Sequence, residues 1–128
     1  MTTRLEDTPL TNFTPLGKAR VADLQIIDTA EGIGEPVAPG ATITAHYTGA
    51  RCSDGIIFQS SHDFGDPATF PLDQVITGWQ QGVPGMKVGG IRRLIIPSDL
   101  AYGSVRAAAN IPPNSDLVFD IELVAIVA

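Results

Sequence analysis

An α+β fold with a mostly antiparallel sheet is predicted by three features of the chain. Two stretches alternate apolar and polar residues with the period of a half-buried strand: Thr42 to Thr48, and Leu117 to Leu123. Asp54-Gly55 forms a turn signal between the first of these and a second strand candidate, because both residue types tolerate the positive φ of a tight turn. One short helix start is present: Thr77 with Gln80 three residues on reads as a capping box, and Gly82, Pro84 and Gly85 stop the helix within about two turns. So short a helix must be held by packing on a sheet.

Each segment can be justified in order. Residues 1–20 hold Thr, Pro and isolated Leu or Phe without period, and read as an arm loosely attached or disordered. Residues 21–128 form the single domain, a size sufficient for one core. Leu24 to Asp28 is a brief strand candidate, and the Gly- and Pro-rich stretch from Thr29 to Gly40 is a loop. After the strand centred on Tyr47, which faces inward, Ile56 to Ser61 is the hairpin partner. His62 to Pro67 is a loop, and Ala68 to Leu72 is a brief strand before the helix. Gly85 to Gly90 is turn-like, and Leu94 and Ile96 form a strand that Pro97 ends. Ser98 to Pro113 is a long exposed loop, of the kind that carries function when its ends are anchored.

A net charge of −6 argues against nucleic acid or an anionic membrane as partner, since both would be repelled. One cysteine, Cys52, makes no internal disulfide, and with two distant histidines it does not make a metal site. No apolar run is long enough to span a bilayer, and MTTRLEDTPL has no signal-like apolar region, so the cytoplasm is the expected compartment. With no heptad or strand edge announcing a partner, a monomer is expected.

The usual catalytic groupings are weak. His62-Asp63 beside Ser60 and Ser61 lacks the geometry of a triad, and no nucleophile elbow is present. His46 reads as a surface residue, and Cys52 as inert. What remains is an apolar and aromatic set: Tyr47, Phe58, Phe70, Val75, Ile76, Trp79, Tyr102, Ile111 and Phe119. Any one of them could be plain core. Together they bring two hydroxyls and the free N–H groups of a helix entrance to an apolar surface, the usual form of a small-ligand or peptide pocket.

Six ordered motifs then carry a resemblance: HYTG at 46–49, DGIIFQSS at 54–61, FPLDQVITGWQQGV at 70–83, GMKVGG at 85–90, LAYG at 100–103 and IPPNSDLVFDIEL at 111–123. Over residues 20–127 the chain resembles FKBP-type peptidyl-prolyl cis-trans isomerases. The resemblance implies a strongly twisted antiparallel sheet of about five strands wrapped around the short helix. It implies catalysis of X-Pro rotation without cofactor or metal, acting on proline-containing polypeptides, with macrolide inhibitors as further ligands. Trp79, Phe58 and Phe119 would hold the prolyl ring, the Ile76 N–H and the Tyr102 hydroxyl would hold substrate carbonyls, Tyr47 and Ile111 would close the walls, and Val75 would be a further pocket position, with Phe70 a supporting core aromatic. Three positions depart from the family pattern. Gln59 replaces a usual aspartate, Ala68 a frequent aromatic wall residue, and Ala107 a bulky loop residue. All three bear on the binding surface: the first removes a carboxylate, and the other two open the pocket, so that reduced turnover and weaker macrolide binding are expected. A binding module without useful turnover is the rival reading, and Gln59 favours it. A purely structural domain whose aromatic set is only core is the third.

Overall fold

The computed structural model describes residues 5–104 and 110–127. Six strands form one antiparallel sheet: β1 (Gln25–Ala30), β2 (Thr42–Arg51), β3 (Ile57–Ser60), β4 (Ala68–Pro71), β5 (Ile91–Ile96) and β6 (Leu117–Ile126). The single α-helix of the described residues, α1, spans Thr77–Gly82. The order is β1-β5-β6-β2-β3, with β4 also paired to β2. The sheet agrees with the expected count of about five strands; β2, ten residues long, serves β6 along one edge and both β3 and β4 along the other. Its Thr42 to Ala45 half pairs with β4, and its Thr48 to Ala50 half pairs with β3. The predicted turn at Asp54-Gly55 joins β2 to β3, with Gly55 at φ +71° and the Asp54 carboxylate accepting from the Ile56 N–H at 3.0 Å.

One face of the sheet carries the main core. Ile43, Ala45, Leu94, Ile96, Leu117, Phe119, Ile121 and Leu123 are buried there with Trp79 of α1 and Val83 at its C-cap. The helix can approach this closely because the two residues facing the sheet are glycines. A Cβ on Gly82 would lie 2.7 Å from Leu94 Cδ2, so any side chain there would push the helix off its seat.

The opposite face corrects the expectation of a loose N-terminal arm. Leu10 and Val21 are buried with Ala50, Cys52, Ile57 and Val118, and Leu5, Phe13 and Leu16 pack against them. The Arg93 guanidinium donates to the carbonyls of Asn12 at 2.7 Å and Thr11 at 2.9 Å while paired with Asp120 at 2.6 Å. Near the end of the arm, Asp116 accepts from the Val21 N–H at 2.8 Å and from Arg20 at 3.1 Å. The apolar residues of the arm are aperiodic because it runs across the sheet as neither helix nor strand, each one meeting a different element. Without this cover Val118 would stand on an open sheet face. Among the described residues no helix is long and apolar enough to cross a membrane.

Candidate functional site

The capping box predicted at Thr77 does not form. Ile76, with φ −58° and ψ 150°, is the N-cap, Thr77 is the first helical residue, and no side chain caps the end. The Gln80 amide donates instead to the Val75 carbonyl at 2.8 Å. The helix begins one residue earlier than a threonine cap would place it. Its entrance therefore has an apolar side chain where an oxygen would usually sit, and the Ile76 N–H has no hydrogen-bond partner among the described residues.

Around this entrance lies a cavity of about 330 Å³, a volume within the range of small-ligand pockets. Its lining brings together Tyr47, Phe58, Gln59, Val75, Ile76, Trp79, Tyr102 and Phe119, all singled out from sequence. Trp79 is 4% exposed and forms the floor, where three rings meet it edge to face: Phe70 at 5.2 Å, Phe119 at 5.4 Å and Tyr47 at 5.8 Å between centroids. Such perpendicular pairs place positive ring edges on negative faces and hold one another in a single arrangement. Phe58 stands on Phe119 in the same way at 5.7 Å. That contact needs Gly49 on β2, since a Cβ there would lie 2.6 Å from Phe58 Cζ and 2.7 Å from Phe119 Cε1.

Three of the expected positions stand elsewhere than expected, and a fourth lies outside the described residues. Phe70, placed in a supporting core role, lines the cavity itself. Ile111 is 6% exposed and belongs to the main core, outside the described lining. Ala68 pairs with Ala45 on β4 and is also outside the lining. Ala107 lies outside the described residues. Gln74 lines the cavity and was missed, since a polar residue in the run LDQVI reads as surface; its position directly before Val75 and Ile76 was the only signal.

Among the described residues no charged side chain lines the cavity, and the polar contribution they make comes from two amides, two phenols and backbone. Burial pushes the hydroxyl pKa values of both tyrosines up, and the nearby Tyr102 adds to the shift at Tyr47. Both remain neutral donors at physiological pH. The indole N–H of Trp79 is buried with no partner among the described residues, leaving one donor unsatisfied among them in the floor.

The other candidate chemistries resolve into structural contacts. The Asp63 carboxylate accepts from the arm amides of Leu5 at 2.6 Å and Glu6 at 3.0 Å instead of turning to His62. His62 stacks on His46 with centroids 4.2 Å apart, and Ser61, 2% exposed, accepts from the Tyr47 N–H at 2.8 Å. Burial pushes the Cys52 thiol up to about 12, which keeps it protonated and unreactive. Both ends of the long loop are anchored by hydrogen bonds. Asn110 donates from its amide to the Phe58 carbonyl at 3.0 Å and accepts from Arg51 at 2.8 Å, and the Asn114 N–H donates to Gly103 at 2.7 Å.

The sequence model of the FKBP-type peptidyl-prolyl cis-trans isomerases matches residues 34–124, which include every cavity residue. The chain belongs to this family. It is 48% identical over 108 residues to the FK506-binding protein of Streptomyces anulatus, covering 82% of this chain and 87% of that one. It is 51% identical over 88 residues to the peptidyl-prolyl cis-trans isomerase FPR2 of Saccharomyces cerevisiae, covering 67% of this chain and 65% of that one. The crystal structure of FkpA from Escherichia coli superposes with a TM-score of 0.74 at 41% identity, covering 80% of this chain and 47% of FkpA. The chain thus spans about two thirds of the yeast relative and about half of FkpA. As an FKBP-type domain it carries its arm and β1 ahead of the matched residues.

Proposed function

We propose that this FKBP-type domain accelerates cis-trans rotation of X-Pro bonds in polypeptides, assisting their folding. The observation carrying this reading is an aromatic cavity, uncharged among the described residues, that opens beside a backbone donor at Ile76 with no partner among them. Rotation about an imide bond breaks no bond, and its barrier of about 18 to 20 kcal/mol comes from amide resonance. An acid, base or nucleophile is therefore unnecessary. At the twisted geometry the C–N double-bond character is lost and the carbonyl is less polarised, so a dry apolar pocket favours it over the planar amide. In this reading Trp79, Phe58 and Phe119 seat the prolyl ring, the Ile76 N–H takes the carbonyl of the bound segment, and Tyr102 supplies a second donor. Val75 and Tyr47 bound the cleft. A protease-free isomerisation assay with proline-containing peptides tests it: turnover that vanishes in Phe119→Ala supports the reading, and a wild-type rate equal to the uncatalysed one overturns it.

One observation favours a weaker enzyme or a binding module. Gln59 stands beside the cavity, and the Tyr47 hydroxyl has no hydrogen-bond partner among the described residues. A carboxylate at position 59 would offer a charge-assisted acceptor there, and the amide does not. Relatives are named FK506-binding proteins. A macrolide occupying the same cavity is expected to bind this chain more weakly than a chain with aspartate at that position.

A further inference from the structure

The matched family residues begin at 34, so the arm has no role in that comparison, yet it touches the strand that carries one wall of the cavity. β3 is only four residues long, and one of its edges pairs with β2. The arm covers the other edge. The Asp7 N–H donates to the Ile57 carbonyl at 2.8 Å, the Ile57 N–H donates to Thr8 at 2.8 Å, and the Leu10 N–H donates to Gly55 at 2.8 Å. Just beyond β3, the Asp63 carboxylate takes the amides of Leu5 and Glu6. The arm is thus fastened from position 55 to position 63, the interval that contains Phe58 and Gln59.

We propose that residues 5–10 act as a strap that positions the β3 wall of the cavity, with Asp63 as its anchoring residue. The inference rests on the isomerase reading for its kinetic consequence. A four-residue edge strand frays readily, and pairing its free edge removes that freedom. Displacing a wall by an ångström or so can lower a rate by up to about 100-fold, and a loosened wall that still samples its correct place loses less. Asp63 touches no substrate; it acts through the arm on Phe58 and Gln59.

The test compares two variants of the full chain well below their melting temperatures. Asp63→Ala frees the arm where it meets β3, whereas Arg93→Ala frees it at Thr11 and Asn12, away from β3. Expected for Asp63→Ala are a fall in kcat/KM of about 5-fold, faster exchange of the Ile57 amide, and shifted amide resonances at Phe58 and Gln59. Arg93→Ala is expected to lose stability while keeping kcat/KM within about 2-fold. Should Asp63→Ala not fold, Asp63→Asn, which keeps one acceptor oxygen, is expected to show the same changes at about half the size. An unchanged kcat/KM in the Asp63 variant, or an equal fall in Arg93→Ala, overturns the strap. If the wild-type chain shows no turnover, the isomerase reading fails separately, and the Ile57 exchange rate alone decides: an unaltered rate in Asp63→Ala overturns the strap.

Discussion

Gly78 rests on Ile96 with no room for a side chain: a Cβ at Gly78 would lie 2.5 Å from Ile96 Cγ2. Ile96 is fully buried in the main core and cannot swing aside. Alanine would improve helix propensity by up to about 1 kcal/mol, but forcing the helix away from β5 costs about 1 to 3 kcal/mol. Gly78→Ala is therefore expected to lower the urea midpoint, and a raised midpoint would show that the helix seat has slack.

Trp79 fills the floor while leaving its N–H unpaired. Removing an unsatisfied buried donor recovers part of what the lost ring volume costs, so Trp79→Phe should destabilise by about 1 to 2 kcal/mol against about 3 to 5 for Trp79→Ala. Denaturant titrations of the two variants measure this. Equal losses would mean that the indole has a partner in solution.

Tyr102 is 40% exposed and its hydroxyl supports no described hydrogen bond. Tyr102→Phe should therefore leave the thermal midpoint within about a degree while kcat/KM for X-Pro isomerisation falls by about 3- to 10-fold, one neutral hydrogen bond being worth about 1 kcal/mol. A drop in stability without a change in rate would identify the tyrosine as packing only.

Gln59 sets the polarity of the rim. Gln59→Asp should raise turnover and tighten FK506 binding several-fold, since a carboxylate acceptor makes roughly twice as strong a hydrogen bond to a phenol as an amide does. Calorimetric titration and the isomerisation assay read the two effects. If neither moves, the residue is a bystander.

Cys52 ties stability to alkaline pH. Its folded pKa of about 12 lies above the ordinary thiol value of about 8.5, so the contribution of the buried neutral thiol is complete below about pH 8.5. It is lost as pH rises toward 12, because the unfolded thiol ionises first. Cys52→Ala should flatten the decline of stability across that window. In the native chain at pH 8, a thiol-specific reagent should react with Cys52 only at the rate of unfolding.

Strand alternation, the Asp54-Gly55 turn and the family motifs were legible because each is written in residues close together along the chain. Alternation at Thr42 to Thr48 reports which face of a strand is wet, and that depends on neighbours two positions away. The arm, the exact helix cap and the edges of the cavity were not legible. Leu10 and Phe13 have no periodic context, and what holds them, Gly55 and Arg93, lies some tens of residues away in sequence. Ile111, read as a wall, lies in the main core outside the described lining, whereas Phe70, read as core support, also lines the cavity.

By itself the sequence determined an antiparallel sheet carrying a short helix, one uncharged aromatic set and the family to which the chain belongs. Only the tertiary structure decided which members of that set share a cavity, that Gln74 joins them, and that residues 5–21 are bound to the sheet. The reason is physical: local pattern encodes the environment of a residue one element at a time, and a cavity exists only where several elements fail to fill the space between them.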